Sequence, residues 1–90
     1  MKYRKKLEVV EALQWTGDNL EEILAFAEGS LESTIDFYGK PILVLTNYKG
    51  PLRVDTGDYI VQIADIPGQF YPCNKKDFED KYELWESEQN

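Results

Sequence analysis

From Thr34 onward the chain is cut at short intervals by turn-forming residues: Gly39-Lys40, Lys49-Gly50-Pro51, Asp55-Thr56-Gly57 and Ile66-Pro67-Gly68-Gln69. No long helix fits between them. What lies between reads as strands rich in β-branched and aromatic residues. Thr34 to Tyr38 and Pro41 to Tyr48 make a hairpin. Leu52-Arg53-Val54 and Asp58 to Ile63 follow, and the last turn leads into Phe70-Tyr71. Parallel pairing needs crossovers of a dozen or more residues, so strands this close together pair antiparallel.

The N-terminal third supplies one strand and one helix. Leu7, Val9, Leu13 and Trp15 share a parity, the period of a half-buried strand over residues 7–15. After Thr16-Gly17, Asp18 and Glu21 have the spacing of a capping box, and Leu20, Ile23, Leu24 and Ala27 recur at helical spacing up to Gly29. Near the other end Asn74 can cap a short helix, and Tyr82 to Glu86 reads as a last strand.

The expected fold is therefore α+β: a small antiparallel β-meander or partly open barrel, with one main helix (about 19–28) on one face and a short helix near 75–80. Ninety residues hold one domain, 1–86, with 87–90 as a flexible tail. Ile42 to Leu45 is apolar at both parities, and one three-turn helix cannot cover both faces of a five- or six-stranded sheet. Either the sheet curls or a second subunit covers it, and a homo-oligomer is expected.

Composition narrows the chemistry. Ten Lys and Arg against 17 Asp and Glu leave a net charge of -7, which argues against duplex nucleic acid, whose affinity comes from phosphate neutralisation. With no His and one Cys, imidazole catalysis, His-ligated metal and an internal disulfide are excluded. Cys73 would need Lys75 or Lys76 to activate it and reads instead as a structural thiol. Asp55 and Asp58 flank a tight turn, where Asp commonly accepts backbone hydrogen bonds. No phosphate-cradling Gly-rich motif or nucleophile elbow occurs. No enzyme activity, cofactor or metal is expected. Met1 to Lys6 looks like the charged start of a signal peptide, but Glu8 and Glu11 interrupt the run behind it. No stretch approaches the ~18 apolar residues of a membrane span, and a cytoplasmic setting is expected.

Charge is uneven along the chain. Lys2, Arg4, Lys5 and Lys6 hold four of the ten bases, then residues 7 to 39 contain eight acids and no base. Such an acidic face could meet a basic partner. Lys40, Lys49 and Arg53 reappear at the turns, where they could converge on an anion. Trp15, Tyr48, Tyr59, Phe70, Tyr71 and Trp85 lie at strand ends or beside turns, where a ring can stack on a base. The candidate ligand-binding residues are Trp15, Lys40, Arg53, Tyr59 and Tyr71.

Two stretches carry a family resemblance. One runs from Lys2-Tyr3-Arg4-Lys5-Lys6 through Val9-Val10-Glu11-Ala12 into Gln14-Trp15-Thr16-Gly17-Asp18-Asn19. The other runs from Gly57-Asp58-Tyr59-Ile60-Val61 to Phe70-Tyr71-Pro72-Cys73, Phe78 and Tyr82-Glu83. Together they resemble a widespread family of small bacteriophage and prophage proteins without an assigned function. Thr56 stands where a Pro is common, and Ile66 to Gln69 where a Gly-Glu pair is common. The resemblance implies residence in the host bacterial cytoplasm and no catalytic residue. It suggests two functions. One is a non-enzymatic counter-defence module that sequesters a nucleotide-derived immune signal. The other is an acidic interaction inhibitor, a nucleic-acid mimic for instance, or an accessory protein that meets a host or virion protein.

Overall fold

The computed structural model describes residues 2–5, 8–63 and 66–84. Its architecture is α+β, with two helices and eight strands among the described residues. Every strand pair is antiparallel. The strands are β1 (Lys2–Lys5), β2 (Glu8–Gln14), β3 (Leu31–Ile35), β4 (Pro41–Asn47), β5 (Gly50–Val54), β6 (Tyr59–Gln62), β7 (Phe70–Cys73) and β8 (Glu83–Leu84). Helix α1 is Leu20–Phe26 and α2 is Lys75–Lys81.

The strands form two sheets, not one meander, and neither closes into a barrel. The larger has the order β7-β6-β2-β1-β8, and the smaller is a β3-β4-β5 meander inserted between β2 and β6. The charged start of the chain forms a strand. Lys2 to Lys5 has little strand character of its own, yet it pairs with β2 on one side and β8 on the other.

Two apolar clusters explain why the larger sheet is stable. On one side Trp15 and Ile60 meet Leu43, Leu45 and Val54 from the smaller sheet, with Ile23 of α1 and its C-cap Ala27 closing the cluster. On the other side Val10, Ala12, Tyr59 and Val61 pack under Phe78 of α2. Strands β2 and β6 are thus apolar at both parities because both faces are covered. The doubly apolar β4 differs. Leu43 and Leu45 are buried between the sheets, whereas Ile42 and Val44 are half-buried on the outer face. The split into two sheets thus covers the Leu43 and Leu45 face of β4.

Three local boundaries move. The α1 N-cap is Asn19, not Asp18, and its side chain caps no helical N–H. The carboxamide instead fastens the β2–α1 connection: Oδ1 accepts from the Thr16 N–H at 3.0 Å, and Nδ2 donates to the Gln14 carbonyl at 2.8 Å. At the far end the helix stops at Phe26 with Ala27 as its C-cap, short of the expected 28, and Gly29, at φ 85, takes the left-handed conformation in the turn that follows. Within the first hairpin, Asp36 starts the turn rather than continuing the strand. Its Oδ1 accepts from the N–H groups of Tyr38 at 2.7 Å and Lys40 at 2.9 Å. Strand β3 therefore runs from 31 to 35, and Phe37 and Tyr38 sit on the hairpin tip instead of in the strand. Leu7, Trp85 and the tail 87–90 lie outside the described residues.

Candidate functional site

Turn geometry determines where the basic residues go. Lys40 precedes β4 and Lys49 follows it, so the two lie at opposite ends of that strand. The three turn cations therefore divide between two clefts.

The first cleft, about 350 Å³, is lined by Trp15, Gly17, Asp36, Lys40, Pro41, Ile42, Arg53 and Thr56. It brings together Lys40, Arg53 and Trp15. Both of its cations have acidic neighbours: Arg53 Nε donates to Asp55 Oδ1 at 3.0 Å, and Asp36 lies within the field of both Lys40 and Arg53. The Lys40 and Tyr38 N–H groups, with those two cations, hold the Asp36 carboxyl below the ordinary carboxylate range. Nor is Trp15 available for stacking. At 1% exposure it is a core residue, held in place by Trp15 N–H to the Asp58 carbonyl at 2.8 Å and Gly57 N–H to the Trp15 carbonyl.

The second cleft, about 570 Å³, opens where the β4–β5 turn meets the β6–β7 end of the larger sheet. It is lined by Asn47, Tyr48, Lys49, Leu52, Ile63, Tyr71 and Pro72. Asn47 builds it: its Oδ1 accepts from the Lys49 N–H at 2.8 Å, shaping the turn, and its Nδ2 donates to the Phe70 carbonyl at 2.9 Å, tying that turn to β7. Gly50, at φ 107, lets a two-residue turn carry Tyr48 and Lys49 outward. The Lys49 ammonium lies 5.8 Å from the centre of the Tyr48 ring, and that ring is 69% exposed. Behind them Leu52, Ile63 and Pro72 form an apolar wall. Tyr71 also reaches toward α2, its hydroxyl 3.3 Å from that of Tyr82.

Tyr59 belongs to neither cleft. Its ring stacks in the cluster beneath α2, and its hydroxyl donates to Glu79 Oε2 at 2.9 Å. Of the five expected binding residues, then, three line the smaller cleft, Tyr71 lines the larger, and Tyr59 is core. Tyr48 and Lys49 join Tyr71 in the larger cleft, and their signal in the sequence is an aromatic residue next to a cation in a turn.

Cys73 is a half-buried free thiol, and burial pushes its pKa up. The cation whose charge acts on it is Lys81, opposed by Asp77 and Asp58. Asp55 and Asp58 close a turn on themselves: Asp55 N–H donates to Asp58 Oδ2 at 3.0 Å, and Asp58 N–H to the Asp55 carbonyl at 2.9 Å. Among the described residues no three Cys, Asp or Glu side chains gather as metal ligands, and no helix is long and apolar enough to cross a membrane. Comparison with known protein families, characterised proteins and solved structures finds no match to this chain.

Proposed function

We propose that the protein is a non-catalytic binding module whose Tyr48–Lys49–Tyr71 cleft takes a planar, anionic heteroaromatic ligand of the nucleotide class. The observation that supports this reading is the meeting of two tyrosines, one cation and an apolar wall in a single cleft of about 570 Å³. That volume falls within the usual range for small-molecule sites. Stacking of a base on tyrosine is worth about 1 to 3 kcal/mol. Lys49 supplies the charge for a phosphate. The net charge of -7 does not oppose this, because repulsion from distant carboxylates is screened beyond about 8 Å at physiological salt.

In the phage setting suggested by the sequence resemblance, such a module sequesters a nucleotide-derived immune signal in the host cytoplasm. Calorimetric titration with cyclic mononucleotides, cyclic dinucleotides and ADP-ribose tests the reading. At least one should bind with a Kd below about 10 μM. Tyr48→Ala and Lys49→Glu should each weaken it by roughly tenfold or more, while Arg53→Glu in the smaller cleft leaves it unchanged. Absence of binding across the panel, or equal sensitivity to Arg53→Glu, overturns it.

A second reading makes a protein the partner. Glu21, Glu22 and Glu28 are exposed on and just beyond α1, and the helix has no basic residue in its last turn. This acidic surface suits a basic host or virion protein. A panel that fails to bind favours it.

A further inference from the structure

A sheet edge is a row of unpaired backbone groups, and folded proteins protect such edges with proline, charge or shortness. The two sheets end in β7, β8, β3 and β5. Strand β8 has two residues, β7 carries Pro72, and β5 carries Pro51 and Arg53. Strand β3 has no proline and no lysine, its one charge is Glu32, and residues 32 to 35 are all exposed.

The pairing with β4 shows which groups β3 offers. Thr46 N–H donates to the Ser30 carbonyl at 2.8 Å and Asp36 N–H to the Lys40 carbonyl at 2.8 Å. With Glu32 opposite Val44 and Thr34 opposite Ile42, the even-numbered residues are those bonded to β4. The N–H and C=O groups of Leu31, Ser33 and Ile35 therefore point away from it. Among the described residues no strand pairs with that side.

We propose that the β3 edge joins a second copy of this chain, antiparallel about a two-fold axis through Ser33, so that the two three-stranded sheets become continuous. Ser33 then faces Ser33 of the second copy, and Leu31 faces Ile35. This is the register that pairs all three outward-pointing residues at once, each pair exchanging both hydrogen bonds. Charge selects the same register. It places Glu32 opposite Thr34. A shift of two residues one way sets Glu32 opposite Glu32, and a shift the other way sets Glu32 opposite Asp36. Directly opposed like charges destabilise a pair, and a chain of charge -7 already repels its copy.

Apolar surface agrees with it. Ile35, Phe37 and Tyr38 are 68%, 99% and 84% exposed, and all lie at one end of this edge. In the proposed register Ile35 meets Leu31, and the hairpin tip is carried toward the second copy's α1–β3 turn, where Gly29 leaves room.

Sedimentation equilibrium of the full chain at micromolar concentration tests it. The mass should be twice 10.5 kDa. Ser33→Lys and Ser33→Glu each place like charges across the axis, and each alone should sediment as monomer with an unchanged circular dichroism spectrum, a loss of roughly a hundredfold in dimer affinity. An equal mixture of the two should restore a dimer, because only a residue that faces itself can be rescued by its opposite. Ser33→Pro removes an outward N–H without touching the β3–β4 ladder and should also give monomer. A wild-type monomer, a Ser33→Lys dimer or an unrescued mixture overturns the proposal.

Discussion

The ring of Tyr59 stacks on that of Phe78 with centroids 4.0 Å apart and planes 14° from parallel. This contact joins β6 to α2. Tyr3 approaches Phe78 edge-on at 4.8 Å, and Tyr82 stacks near it at 4.7 Å, so Phe78 is the hub of an aromatic cluster on the outer side of the larger sheet. It is fully buried. Phe78→Ala should destabilise the protein by about 3 to 5 kcal/mol in denaturant unfolding, as large-to-small aromatic changes in cores do. A loss below about 1 kcal/mol would mean that α2 is dispensable.

Ionisation of the same cluster gives a pH prediction. Burial, first of all, and then its hydrogen bond to Glu79 hold the Tyr59 hydroxyl well above its ordinary pKa of 10.0. The folded state thus retains a proton that the unfolded state has released. This contribution to stability is fully present below the unfolded value and is lost as pH rises from about 10 toward the folded one. Urea midpoints measured from pH 8 to 11 should therefore fall at the alkaline end, and Tyr59→Phe should flatten that fall. An equally steep fall in the variant would assign it to other groups.

Helix α1 is anchored by fewer residues than its periodicity suggests. Ile23 and Ala27 are fully buried, whereas Leu20 and Leu24 are half-buried against the cluster. Ile23→Ala should cost about 2 to 5 kcal/mol and Leu24→Ala clearly less. Equal costs would show that the helix presents a different face to the sheets.

Much of this fold is legible in the sequence because turns and helix ends are local. Asn74 caps α2 through the Asp77 N–H at 2.8 Å, and the Asp55 to Asp58 turn closes on its own side chains. Long-range pairing is not local. Nothing in Lys2 to Lys5 reveals that β2 and β8 will flank it, and nothing around Trp15 announces the insertion of a three-stranded unit between β2 and β6. The candidate cleft was only partly legible for the same reason. Tyr71 and Lys49 stand out as types, but their meeting depends on Asn47 tying the β4–β5 turn to Phe70. Trp15 and Tyr59 stand out equally, yet an aromatic residue at a strand end is as suited to a core as to a ligand.

The cleft is tested most directly by mapping the bound ligand residue by residue. Amide chemical-shift changes should be recorded on the isotopically labelled protein during titration with the tightest nucleotide of the calorimetric panel. They should concentrate at Asn47 to Leu52, Ile63 and Tyr71, and leave Lys40, Arg53 and Thr56 unmoved. Shifts centred on Lys40 and Arg53, or no saturable shifts at all, contradict a nucleotide site at Tyr48, Lys49 and Tyr71.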